Sequence, residues 1–485
     1  MQAVSRPNST KSLYDFNSLL KIANIFLCIL SVYLYSEEGN NEYVNIYTII
    51  LAVIIGLENI GMLFYEKRRR NPFILIIVFL STVFYLTRIT TLIAIPLSAI
   101  FERDSVTSYE LNYALLFIIL CNVSMFLGFY IRMSHKVKPE NERQAKYSAR
   151  KMRNVILIPL LMVIIMWLNS IGIAGGGLAS FLIELFFHQQ VLLLFSFVFL
   201  IYHYDDIPRK ARWQVLFIML GYVFFVSVSG SRSAILVIGI LMLISFLVVK
   251  KRVLVNKWII LTCLILIPIS IFLYIFATFS RGLELRETNA ISLLNLMNEQ
   301  GFFDLERMHF FLGRIFERIG FLDFSASLIA QREKFSVVLN PIYYIKSIID
   351  NVLTPGFDIF NTPRASHALG HVGVGQGIPT RDTIAESYQS DQMGIYGEYY
   401  VLFFGYPALV VFFFLAYIFQ WLYDSFRTKN FFLACLYRVL LVNTFLLYMN
   451  SFGTDWVFFE FIGTVCTCLV FTRYYYSPNN IEKEI

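Results

Sequence analysis

The sequence predicts an all-α, polytopic integral membrane protein of about 12 transmembrane helices, with one large, partly helical extracytoplasmic loop between helices nine and ten. Three observations predict it. Of 485 residues, 57% are hydrophobic and 17% aromatic, and only 15% are charged, too few to coat a soluble chain of this length. The apolar residues gather in runs close to the roughly 20 residues that cross a bilayer as a helix. None of the runs alternates apolar with polar residues as a barrel strand would, so each must satisfy its own backbone as a helix.

In chain order the runs are 19–35, 44–65, 73–95, 111–131, 155–173, 182–204, 213–228, 233–249, 258–279, 398–422, 431–449 and 457–476. The start, MQAVSRPNSTKS, is polar and leads into an ordinary span, so no cleavable signal peptide is expected. Glu184, His188, Gln189 and Gln190 interrupt the sixth run. The chain divides into residues 1–279 with helices one to nine, 280–397 as the large loop, and 398–485 with helices ten to twelve and a short tail. All six cysteines lie inside apolar runs and read as small buried thiols, the Cys466-x-Cys468 pair included.

Loop charge sets the orientation. With both termini cytoplasmic, the five inner loops hold 21 Lys and Arg, and the five short outer loops hold two, Arg103 and Arg232. That is the positive-inside bias. The net charge of +7 is then a topology signal, and nucleic acid is not an expected partner. Trp213, Trp258, Trp421 and Trp456 fall at run ends, where interfacial anchors belong.

The loop from Ser280 to Gly397 is 118 residues long, with 10 Lys or Arg against 13 Asp or Glu. Connections of that length usually carry function. Its first half, Asp304 to Ala330, reads as an amphipathic helix, and Asn351 to Gln392 reads as irregular and rich in Gly, Pro and Ser.

Candidate ligand groups follow from where charge stands. Arg232, in Ser229-Gly230-Ser231-Arg232-Ser233, faces the outer side against the charge bias. Its planar fork suits phosphate oxygens, and it equally suits snorkelling to lipid headgroups. Arg281 lies just past a span and has the same two readings. Arg307, Arg314 and Arg318 fall within about 40° on a helix, a stripe that fits an anionic ligand, anionic lipid or plain solvent. Arg364, His367, His371 and Arg381 sit among Gly370, Gly373, Gly375 and Gly377. The glycines argue against a helix there, so the two histidines are not expected to share a metal, and a flexible polar lid is the preferred reading. Glu398, at the mouth of span ten, reads either as an acid or base in apolar surroundings or as a charge that favours a helix N-terminus. Arg88, Arg438 and Glu460 lie within spans and either pair with one another or line a cavity.

Four stretches carry a resemblance. SGSRSAILV, RIFERIGFLDFSASLI, YYIKSIIDNVLTPGFDIFNTP and GEYYVLFFGYPALV resemble segments of the bacterial oligosaccharide repeat-unit polymerases, the Wzy-type O-antigen and capsule polymerases. The matched positions are Arg232, Arg318, Asp323, Glu398 and Gly405. The resemblance implies a metal-independent glycosyltransferase of the bacterial inner membrane, with no cofactor. Its donor and acceptor would be oligosaccharides on undecaprenyl diphosphate, in contact with membrane lipid and with a chain-length co-polymerase as a further partner. Substrate would be held by Arg232, Arg281, Arg314, Arg318, Asp323 and Arg364. The base would be Glu398, with His367 or His371 as alternatives. An O-antigen ligase shares the donor and the face. A polysaccharide flippase would need charges along central spans and only short outer loops.

Overall fold

A computed structural model of the chain describes residues 13–69, 71–94, 106–134, 149–168, 189–228, 234–250, 254–256, 321–353, 359–373, 375, 377–380, 394–426, 431–449 and 453–475. The fold is all-helical, apart from a three-residue antiparallel ladder between β1 (Leu13–Asp15) and β2 (Leu254–Asn256).

The first bundle contains α1 (Phe16–Glu38), α2 (Ile46–Arg69), α3 (Pro72–Leu80), α4 (Thr87–Ala94) and α5 (Ser108–Ser134). A π-helical turn, Ser81–Leu86, joins α3 to α4. Among the described residues, five stretches are long and apolar enough to cross a membrane: Phe16–Glu38, Ile46–Glu66, Pro72–Ile93, Ser108–Ser134 and Ala408–Ser425. The chain is thus a helical membrane protein. Pro72–Ile93 is 78% buried and Phe16–Glu38 only 17%, which puts the former at the centre and the latter at the rim. Small polar groups join the helices where no water can serve. Asn24 donates to Thr82 Oγ1 at 2.9 Å and accepts from Asn59 at 2.8 Å, and the hydroxyls of Ser31 and Thr90 pair at 2.8 Å.

A second group follows: α6 (Ala149–Leu168), α7 (Gln189–Tyr202), α8 (Arg209–Val228) and α9 (Ala234–Lys250). The predicted ninth span, 258–279, lies outside the described residues, as do Arg232, Arg281, Arg314, Arg318 and Arg381.

In the segment predicted as the large loop, and just after it, come α10 (Phe321–Ala330), α11 (Arg332–Phe335), α12 (Pro341–Ile348), α13 (Ala365–Gly373) and α14 (Ile395–Leu402). The chain continues through α15 (Ala408–Ser425), α16 (Phe431–Met449) and α17 (Thr454–Tyr475). α15 packs along α5, and α10 lies against both α5 and α14, so residues 321–330 are seated on the first bundle. At Gly397 an added Cβ would stand 2.9 Å from both Leu328 Cδ1 and Ser325 Cα; glycine is what lets α14 approach α10 this closely.

Two sequence expectations are corrected. The run 398–422 is not one helix. α14 ends at Leu402, Phe404 and Gly405 take positive φ of 58° and 99°, and α15 starts only after Pro407. Gly405 N–H closes the turn on Tyr400 O at 2.7 Å. A positive φ is inexpensive at glycine and strained at Phe404, so the turn is held by its surroundings. The second correction concerns Ala365–Gly373, expected to be irregular. It is a helix, because Ala365, Ala368, Leu369 and Val372 are buried on its inner side and its first N–H has a carboxylate partner.

Candidate functional site

The site is built around four buried carboxylates: Asp323, Glu398 and Asp455 each tie separate helices together, and Asp350 holds the 359–362 turn. Asp323, in the first turn of α10, meets Arg88 of α4. Arg88 Nε lies 2.7 Å and Nη2 2.5 Å from Asp323 Oδ2, and both side chains are almost wholly buried. The π-helical turn just before α4 comes up against α10 here, with Phe84 edge-on to Phe321 at 4.7 Å. Such wide turns are frequent at functional sites.

Glu398, the fourth residue of α14, is fully buried. Its Oε1 accepts from Tyr344 Oη at 2.6 Å, from Thr454 N–H at 2.9 Å and from Thr454 Oγ1 at 2.7 Å. The carboxylate therefore ties α12 to the start of α17, where helix-end N–H groups favour negative charge. Burial first, and then the Glu398 charge, hold the Tyr344 hydroxyl well above its ordinary range, which keeps it a donor.

Asp455, one residue on, is 1% exposed. It accepts from Ser347 Oγ at 2.5 Å and from Ala365 N–H at 2.9 Å. The second bond sets the N-terminus of α13, which explains why a glycine-containing segment winds into a helix. Asp350, also fully buried, accepts from the N–H groups of Ile359, Phe360 and Thr362. α12 itself begins with Asn340 accepting from Tyr343 N–H at 2.9 Å, followed by Pro341 as first helical residue.

α13 then presents the candidate residues. His367 is half-buried and His371 is buried, four residues apart on one helix. Arg364 stands just before the helix and is half-buried. Burial and then the Arg364 charge push the His367 pKa down, against an opposing pull from Asp455. His367 is accordingly neutral at pH 7. On the other side, Lys334 of α11 donates to Gly373 O at 2.9 Å, at the C-terminal end of α13, where a cation is favoured.

The structure thus brings Glu398, Arg364, His367 and His371 into one neighbourhood through Asp455, Tyr344 and Thr454. Asp323 sits apart from them, engaged by Arg88. Asp455 and Arg88 are site-building residues that sequence reasoning did not connect to the loop. Arg88 does not pair with Glu460, and Arg438 donates to Tyr423 O at 3.3 Å. Comparisons with protein-family models, with curated proteins and with solved structures find no match to this chain.

Proposed function

We propose that this chain is a membrane glycosyltransferase that polymerises oligosaccharide repeat units carried on undecaprenyl diphosphate. It would have about 12 spans in a bacterial plasma membrane, both termini in the cytoplasm and residues 280–397 on the outer face. The observation that best supports this reading is the segregation of charge in the loop. Asp323, Asp350 and the adjoining Glu398 are buried, whereas Arg332 and Arg364 are only half-buried and Lys346 is exposed. Such a surface suits a substrate whose reacting end is a diphosphate.

In the reaction, the acceptor hydroxyl attacks the anomeric carbon of the donor sugar. The bond from that carbon to the diphosphate oxygen breaks, and the diphosphate leaves with its charge. Guanidinium groups meet that charge, each well-placed donor contributing about 10²–10³ in rate. The hydroxyl proton passes to a base. Of the three candidates His367 fits this task best, being half-exposed and neutral at pH 7, while Glu398 is sealed from solvent and already accepts three hydrogen bonds through one oxygen.

The test is purified protein mixed with lipid-linked repeat units and scored on a gel. A ladder of products is expected. Transfer only to a lipid A core would indicate a ligase instead, and translocation without product a flippase. Arg232→Ala and Arg318→Ala should abolish the ladder at unchanged protein level, and Arg232→Lys should also fail, because a point charge does not replace the fork.

A further inference from the structure

Residues Ile329 to Lys334, together with Tyr400, line an open cavity of about 520 Å³. It forms because α10 stops at Ala330 and the chain turns at Gln331 before α11 begins. The turn places two cations, Arg332 and Lys334, beside the apolar Ile329 and Ala330. Arg332 is half-buried, and its guanidinium makes no hydrogen bond or ion pair among the described residues. A fork of five donors beside a cavity is thereby left open to a ligand. Lys334 donates to Gly373 O at 2.9 Å, which links the cavity to α13. Glu333 is the one acid lining the cavity among the described residues, and it is exposed.

The level of the cavity narrows the ligand. Tyr400 pairs its hydroxyl with Tyr113 Oη at 3.0 Å and packs edge-on to Phe117 at 4.9 Å, near the N-terminal end of α5. Tyr406 joins the same cluster and is 44% exposed, beside Phe404 at 67%. Exposed aromatic groups with polar tips at the end of a spanning helix mark a membrane–water boundary. An open guanidinium, a second cation in the lining and a boundary position together match the phosphate-bearing headgroup of a membrane lipid.

We propose that this cavity seats the phosphate-bearing headgroup of a membrane lipid, with Arg332 as its principal contact. The site deepens the function proposed above by giving a lipid carrier a resting place, and its test reads binding, not transfer. Full-length protein in phosphatidylcholine nanodiscs is titrated with radiolabelled farnesyl diphosphate. Binding is expected, and farnesol should bind far more weakly. Arg332→Ala should weaken binding by about ten- to a hundredfold, the loss of a charge-assisted bidentate contact. Arg332→Lys should restore part of it. Glu333→Gln, which removes a repelling charge, should tighten binding by about two- to fivefold. Competition by phosphatidylglycerol in the discs would assign the seat to phospholipids, and its absence to isoprenoid diphosphates. If Arg332→Ala proves unstable, Glu333→Gln alone decides, and unchanged affinity there overturns the proposal. So does farnesol binding as tightly as farnesyl diphosphate, or undiminished binding by folded Arg332→Ala. A missing product ladder with Arg332-dependent binding would sink the polymerase reading and keep this one; the reverse pattern would do the opposite.

Discussion

The buried acids at and around this segment and its cations live in different physical worlds. Asp323, Asp350 and Glu398 are at most 4% exposed, and the groups that engage them come from α4, α12, α17 and the 359–362 turn. Arg332 and Arg364 are half-buried, and Lys346 is exposed. The loop holds more acids than bases overall, yet what it offers outward in its described part is largely cationic. The lesson is that net charge says little about a binding face when one sign has been used for assembly. A buried carboxylate with several donors fixes geometry, and an open guanidinium recruits a ligand.

The comparison breaks first at its most buried pair. Arg88→Ala or Asp323→Ala strands a charge in the interior and should cost about 3–5 kcal/mol in unfolding of the detergent-solubilised protein. Replacing both by leucine should cost less than either single change. A double variant as damaged as the sum of the two would show that the residues act separately.

Next in size is Glu398→Ala, which leaves Tyr344 and Thr454 donors unmet at about 1–3 kcal/mol each. Glu398→Gln keeps an accepting oxygen and should lose less. Measured as product per folded molecule, it should retain activity if the carboxylate is a fastening. A stable Glu398→Gln protein with no product would move Glu398 into the chemistry.

The cationic side is probed by pH. The His367 pKa is lowered by burial and by Arg364, so its proton binds more weakly in the folded protein than in the unfolded chain. As pH falls through the ordinary histidine value of about 6.5, the unfolded state gains the proton first, and stability from this residue is lost in that window. The acid limb of the rate profile should therefore lie below pH ~6.5. Arg364→Ala removes a repelling charge and should move that limb upward; His367→Gln should abolish it along with most activity. An acid limb that ignores Arg364 would exclude His367 as the titrating base. The smallest effect belongs to Lys346→Ala, an exposed ammonium 5.7 Å from the Phe360 ring, expected to change stability by no more than about 0.5–1 kcal/mol.

How much of this was legible in the sequence depends on range. The first four spans were readable because length and hydropathy are local, and α1, α2, α3–α4 and α5 stand where the apolar runs do. The break at Phe404 was hidden by apolar residues on both sides, although Gly405-Tyr406-Pro407 carried a turn signal. α13 was missed because its glycines speak locally against a helix, while the carboxylate that sets its start, Asp455, comes 90 residues later. Asp323 was grouped with Arg318, its near neighbour in sequence; its partner Arg88 is 235 residues away. Separations of that size leave no trace in spacing or periodicity.

The reading of this surface as a site for lipid-linked sugar stands on which side of the membrane it faces. The direct measurement places a single cysteine at the exposed Ile378, 59% accessible, in a protein whose six native cysteines are replaced by serine, and exposes intact cells to a membrane-impermeant maleimide. Labelling without permeabilisation is the expected result. Labelling only after the membrane is opened would put the loop in the cytosol and contradict the account.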